Sequence, residues 1–265
     1  MRGSDGAELF AARVLELARR AERGEIAVSE FFTPREIYAA SAILERGGYR
    51  GTFAFFGGYE NAERARLVCL PDYMLYGGED EIWRTAADAA GDEVSVLRVS
   101  GSGYRTLSHR DFMGAILSLG IKRHVLGDII VDEDGHGAYI FCDAKIGGYI
   151  AENLTRTASD TVRVSVAALP DGFSVVRRTE PISDTVASMR ADCVISALIR
   201  CPRERAKEII ISGMAEVNYE VLTKPDAQLE TGDIVSVRGE GKFVISSLDG
   251  VTRRGRLRLS AEKYI

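Results

Sequence analysis

Between Met189 and Asn218 the sequence reads MRADCVISALIRCPRERAKEIIISGMAEVN, and a proline at 202 and a glycine at 213 cut it into short pieces. Pro202 cannot extend a helix from Cys201, because its ring fixes φ and removes a backbone donor, yet it suits the opening turn of a new helix. Gly213 supplies left-handed backbone just past a helix end. Two short helices are therefore expected in place of one long one. In the first, Cys193, Val194, Ala197 and Leu198 recur three to four residues apart and share a face; in the second, Ala206, Ile209 and Ile210 do the same. Val217-Asn218-Tyr219 then reads as a strand entering a tight turn. The second helix carries Arg203 and Lys207 four apart, with Arg200 just before and Arg205 beside them. Like charges at that spacing cost a helix about 0.2–0.5 kcal/mol. An anionic partner would offset that cost; the competing reading is a solvated face partly balanced by Glu204 and Glu208.

Charge over the whole chain does not announce a polyanion ligand. The 265 residues carry a net charge of −5, of which the part from Ile182 onward contributes +1 and the remainder −6. Any phosphate site must then be local. The stretch from Arg238 to Arg258 is the most basic: Arg238, Lys242, Arg253, Arg254, Arg256 and Arg258 stand against Glu240 and Asp249. Cys69, Cys142, Cys193 and Cys201 show no C-x-x-C spacing, and His109, His124 and His136 show no ligand pairing with them, so no metal site and no disulfide framework is read. The pattern suits reduced thiols in a cytoplasmic protein. No apolar run approaches the ~20 residues that span a bilayer, and MRGSDGAELF lacks a signal-peptide core. Neither membrane insertion nor secretion is expected.

The fold class read along the chain is α+β, in three small domains. Residues 1–88 form an N-terminal α/β segment: a helix over Ala7–Arg23, a second from Pro34 to Arg46 capped by Thr33, and a strand at Thr52–Phe56. Gly57-Gly58 lacks the Lys-Ser/Thr of a phosphate loop and the G-x-G-x-x-G of a dinucleotide site, and is read as a turn. Arg64, Arg66 and Arg84 are read as exposed, either solvated or facing RNA. Residues 89–172 give strand, helix, strand, strand, helix, strand, which is the split βαβ order of ferredoxin-like and RNA-recognition domains. Ser108 with Asp111 signals the first helix, and Asp143 caps the second. Tyr139 and Phe141 share a strand face that either stacks bases or packs in the core, with core favoured. Lys122, Arg123 and His124 make another basic candidate patch, and His124 has no acid partner nearby in sequence. Phe173–Thr179 is read as a connecting strand, and Asp249-Gly250 as a hairpin turn. No catalytic residue and no cofactor loop is identified.

Residues 182–265 resemble the αL RNA-binding motif, the S4 domain. The resemblance is carried by Arg190-Ala191-Asp192, Pro202-Arg203, Ala206, Ile209-Ile210, Gly213, Val217-Asn218 and Gly232-Asp233-Ile234 with Val235 and Val237. Ala191, Pro202 and Met214 replace the usual leucine, serine and basic residue. Over nearly its whole length the chain is also similar to the bacterial YlmH family, through FFTPRE, FFGGYENAERAR, LSHRDFMGAILSLGIKRHVLGDIIV, SVRGEGKFVI and TRRGRLRL. That resemblance implies a cytoplasmic, ribosome-associated RNA-binding protein that acts on large ribosomal subunits left with peptidyl-tRNA after stalled translation. The expected partners are ribosomal RNA, tRNA and the large subunit, with no cofactor and no metal.

The expected mechanism is a non-catalytic clamp. Arg190, Arg203, Arg205 and Lys207 meet the RNA backbone, and Lys242, Arg253, Arg254, Arg256 and Arg258 extend the footprint of an S4 domain with a basic C-terminal hairpin. Two alternatives come from other classes. One is an RNA-modifying enzyme targeted by an S4 domain, which would need a catalytic aspartate motif or a cofactor loop. The other is a cell-division adaptor, which would keep its partners once RNA is destroyed.

Overall fold

The computed structural model describes residues 2–175, 178–247, 250, 252 and 255–265, with side chains from residue 6 onward. The chain divides into two compact units, Met1–Val175 and Val176–Ile265. Residues 1–88 and 89–172 both lie within the first.

In the first unit, helix α1 (Arg2–Glu22) leads into strand β1 (Ala27–Phe32), helix α2 (Pro34–Arg46), and strands β2 (Phe53–Phe56) and β3 (Ala65–Cys69). Helix α2 begins as its sequence dictates. The Thr33 side chain accepts from the Glu36 N–H, and the Glu36 carboxylate accepts from the Thr33 N–H, so each satisfies a donor left open at the helix start. The antiparallel sheet runs β1-β3-β2. All five residues of β3 are buried because both of its faces are covered. One side carries Val14 and Ala18 of α1 with Ala40 and Leu44 of α2; the other carries Ile82, Ala86 and Ala90 of helix α3 (Glu79–Ala90).

The remainder of this unit is β4 (Val94–Gly101), α4 (His109–Ser118), β5 (Leu126–Val131), β6 (Gly137–Asp143), α5 (Ala144–Asn153), β7 (Arg156–Thr157) and β8 (Asp160–Val166). The strands pair antiparallel in the order β5-β6-β4-β8-β7. The four long strands thus take the split βαβ arrangement expected from their sequence order. Both helix starts use the expected caps, Ser108 with Asp111 for α4 and Asp143 for α5. Alternation sends Leu97, Val99, Ile140 and Cys142 toward Phe112, Ile116 and Ile150 of the helices.

The opposite face of this sheet is partly closed by the protein itself. Phe141 is fully buried, with the Tyr59 ring 4.8 Å and the Phe173 ring 6.2 Å from it. Tyr139 is half-buried, 5.3 Å from Phe173, with the Arg98 guanidinium over its ring at 4.7 Å. Phe141 is therefore core. Gly58 permits the close approach: its φ is +99°, and a Cβ there would stand 2.5 Å from the Phe141 ring.

Arg64 and Arg66 are not the exposed side chains expected. Arg66 is buried and donates to the Ser29 and Glu93 carbonyls, with Asp143 3.3 Å away. Arg64 donates to the carbonyls of Leu126 and Arg123. Both bind the first three strands to the central sheet, and neither faces solvent as a free cation. Asp128 completes the seam, accepting from the Tyr59 hydroxyl and from the Glu63 and Arg64 N–H groups at 2.7, 2.7 and 3.0 Å.

The second unit holds β9 (Thr179–Val186), α6 (Ala191–Leu198), α7 (Arg203–Ile211), β10 (Ala215–Val217), β11 (Glu220–Val221), β12 (Ile234–Val237), β13 (Gly241–Ser247) and β14 (Leu257–Tyr264). Its antiparallel sheet runs β11-β10-β12-β13-β14-β9. The apolar faces of α6 and α7, with Val194, Leu198, Ala206 and Ile210, bury against Val235, Phe243, Ile245 and Leu259. Gly213 has a φ of +69° after α7, as expected, and Asn218 and Tyr219 at +51° and +66° form the two-residue turn between β10 and β11. Of the strand expected over Phe173–Thr179, positions 176 and 177 lie outside the described residues; β9 starts at Thr179 and pairs with β14 from Tyr264 to Leu257. Asp249 of the expected hairpin turn lies outside the described residues.

Candidate nucleic-acid interface

Helix α6 starts against a loop that supplies the acceptors its first turn lacks. The Ala191 N–H donates to the Ala227 carbonyl at 2.8 Å and the Asp192 N–H to the Pro225 carbonyl at 2.9 Å. The Asp192 carboxylate is thereby fixed in the first turn of α6, where the helix dipole favours negative charge. Its side chain is 0% exposed.

Two arginines converge on that carboxylate. Arg190, the residue before α6, donates through Nε and a terminal nitrogen at 3.2 Å each. Arg203, the first residue of α7, reaches both carboxylate oxygens at 3.1 and 3.0 Å. Burial alone would raise the Asp192 pKa. The hydrogen bonds from Arg190 and Arg203 overturn that effect and hold it at about 2. The two arginine side chains remain 36% and 47% exposed, so one buried anion orients two cationic side chains that are not themselves buried. The trio carries a net charge of +1.

The other two expected contacts on α7 are electrically closed. Arg205 pairs with Glu208 at 3.0 Å and Lys207 with Glu204 at 2.7 Å, both three residues apart on the helix. Each pair is neutral, as the balanced-face reading of Glu204 and Glu208 expects. Clamped orientation therefore separates Arg190 and Arg203 from Arg205 and Lys207.

Among the described residues, the C-terminal basic side chains do not gather into one patch. The Lys242 ammonium lies 5.1 Å from the ring centres of both Tyr219 and Tyr264 and reaches the Tyr219 hydroxyl at 3.2 Å. Arg256, just before β14, is eight positions along the chain from Tyr264, roughly 25 Å of extended strand. Lys242 and Arg256 thus occupy opposite ends of the sheet. Arg256 donates to the Thr185 carbonyl on β9. Arg258 is exposed and alternates with Leu257 and Leu259, which face the helices. Arg253 and Arg254 lie outside the described residues.

A cleft of about 390 Å³ opens where the end of β9, helix α6 and the α6–α7 turn meet the start of β14, and Arg200, Arg203 and Arg256 line it. Arg200 was not among the expected contacts. Its signal in the sequence is its place in the turn before Pro202, where the chain must reverse without a glycine.

Comparison with known proteins bears first on residues 7–171. The YlmH N-terminal domain model matches residues 7–74, and a model described as a putative RNA-binding domain in YlmH matches residues 93–171. Together they take in more than half of the chain. Among curated proteins the chain is similar to the ribosome-associated protein quality control protein P2 of Bacillus subtilis (strain 168). The two are 26% identical over 243 residues, 91% of this chain and 89% of that protein. Among solved structures it is similar to the cell division protein ylmH from Streptococcus pneumoniae, at a TM-score of 0.46 and 20% identity, covering 62% of this chain and 92% of that one. On the two domain matches and the length of the curated similarity, the chain belongs to the YlmH family.

Proposed function

We propose that this protein is a non-catalytic, cytoplasmic RNA-binding protein that attaches to the large ribosomal subunit through ribosomal RNA. There it serves quality control of stalled translation, beside the tRNA left on the subunit. The match of residues 93–171 to a putative RNA-binding domain and the name of the Bacillus subtilis relative support this reading. Residues 182–265 are read as an S4 domain, following residues 1–88 and the central domain at 89–172.

The observation that carries the proposal is the Arg190–Asp192–Arg203 clamp. A buried carboxylate holds the guanidinium groups of two half-exposed arginine side chains in fixed positions, which lowers the entropy lost when they meet phosphates. Arg256 and Arg258 extend the footprint along β14, and Lys242 marks a separate edge. Arg205 and Lys207, each closed on a glutamate, lie outside it. Most such contacts set register on an RNA without reading its bases.

Salt and nuclease test the proposal together. Full-length protein should co-sediment with purified large ribosomal subunits at low salt. If four to six phosphates are neutralised, affinity should fall with a log–log slope on the order of −3 to −5. RNase digestion of the subunits should release it. Attachment that ignores salt, or that survives complete digestion of the RNA, would defeat the proposal and favour a protein partner.

A further inference from the structure

The turn between α6 and α7 contains a residue whose backbone runs against its own chemistry. Arg200 has a φ of +51°. In that left-handed region a side chain crowds the following carbonyl, so glycine, or failing that asparagine, is the usual choice at a helix end. The local hydrogen bonds are those of a helix stop, with the Cys201 N–H donating to the Ser196 carbonyl at 3.0 Å. Nothing in that geometry calls for an arginine. Such a residue persists where its side chain is needed.

What surrounds Arg200 indicates the need. The side chain is exposed and lines the cleft of about 390 Å³ with Arg203 and Arg256. Two of these three guanidinium groups are already oriented, Arg203 by Asp192 and Arg256 by the Thr185 carbonyl. Among the described residues Asp184 is the one acid on the lining, and its carboxylate accepts from the Thr185 N–H at 2.6 Å. The described lining therefore carries three positive charges against one negative. Adding Arg190 and Asp192 behind Arg203 leaves that balance unchanged. The outer face of α7, with its two neutral pairs, offers no such excess.

We infer that this cleft is a backbone pocket for RNA, in which Arg200, Arg203 and Arg256 grip a phosphate and its sugar. The inference rests on the RNA-binding reading above and moves its centre from the Asp192 clamp to the α6–α7 turn. Guanidinium forks match phosphate oxygens in pairs, which suits three converging arginines. No aromatic side chain lines the cleft among the described residues, which offer no surface on which to stack a base. The volume lies at the small end of ligand sites. The pocket accordingly fixes the path of the strand and is indifferent to its sequence.

Full-length wild type, Arg200→Gly, Arg256→Gln and the double variant Arg205→Ala/Lys207→Ala, titrated with purified large ribosomal subunits across a salt series, test this. Arg200→Gly relieves the strained backbone, so its melting temperature should equal or exceed that of wild type. Its affinity near 0.1 M salt should nevertheless fall about tenfold, with the salt slope smaller by about one, as loss of one phosphate contact requires. Arg256→Gln should behave alike in binding, while the double variant stays within about twofold of wild type. Wild-type affinity and slope in both Arg200→Gly and Arg256→Gln would overturn the pocket and leave the RNA reading standing. Failure of wild type itself to bind the subunits would remove that reading, and the pocket with it.

Discussion

At the scale of single residues, Asp192 decides more than its size suggests. A buried carboxylate ordinarily carries a raised pKa; here two arginines depress it to about 2 from the ordinary aspartate value of 3.8. Because the folded pKa lies below the unfolded one, this group's contribution to stability is fully present above about pH 4 and is lost as pH falls through about 2. Asp192→Asn keeps the shape and removes the charge. It should cost about 2 kcal/mol at pH 7, the range for hydrogen bonds to charged groups, and should flatten the acid limb of stability measured by urea unfolding from pH 2 to pH 5. Equal acid limbs in the two proteins would show that the clamp is not the source. The sequence marks Arg190, Asp192 and Arg203 as a set, yet spacing alone does not reveal that the aspartate binds both arginines. Nor does it reveal that Glu204 and Glu208 each take one cation out of play. Those facts depend on how α6 meets α7, which is a tertiary property. Arg64 and Arg66 mislead for the same reason: an arginine looks exposed in a sequence until a carbonyl and a carboxylate are brought to it from elsewhere.

At the scale of elements, legibility follows how much of the decision is local. Helix α2 was readable because Thr33, Pro34 and Glu36 act within a few residues of one another. Thr33→Ala should cost about 1 kcal/mol and lower the urea midpoint with an unchanged slope; a changed slope would mean that the cap influences more than the helix end. The four long strands and two helices of the central domain were readable by order, since their caps and alternation are also local. Among the elements misplaced or missed, three have identifiable reasons. Strand β9 contains Pro181 and one buried residue in eight, a poor strand by composition. It is nonetheless an edge strand, the position where a sheet tolerates proline. Helix α3 starts after Gly78 without a side-chain cap. Strand β1, AVSEFF, buries residues on both faces and so lacks the alternation that identifies a half-exposed strand.

At the scale of the molecule, the first unit is joined by polar contacts as much as by its cores. Asp128 accepts three hydrogen bonds from the segment after β2. Arg66 ties β3 to the carbonyls of Ser29 and Glu93 and to Asp143, the cap of α5. Residues 1–88 and 89–172 should consequently unfold in one transition. Asp128→Ala should lower its stability by about 3 kcal/mol, since it strands donors that are shielded from water. Two resolved transitions for wild-type Met1–Val175 in calorimetry would refute that coupling.

The covering of Phe141 by Tyr59 and Phe173 has a wider consequence. A four-stranded sheet of this topology commonly offers nucleobases a bare aromatic table. In this protein half of the table is already laid with the chain's own rings. A nucleotide strand arriving at the central domain would find its rim, its loops and the outer sides of α4 and α5, and any specificity it meets there must come from contour and charge.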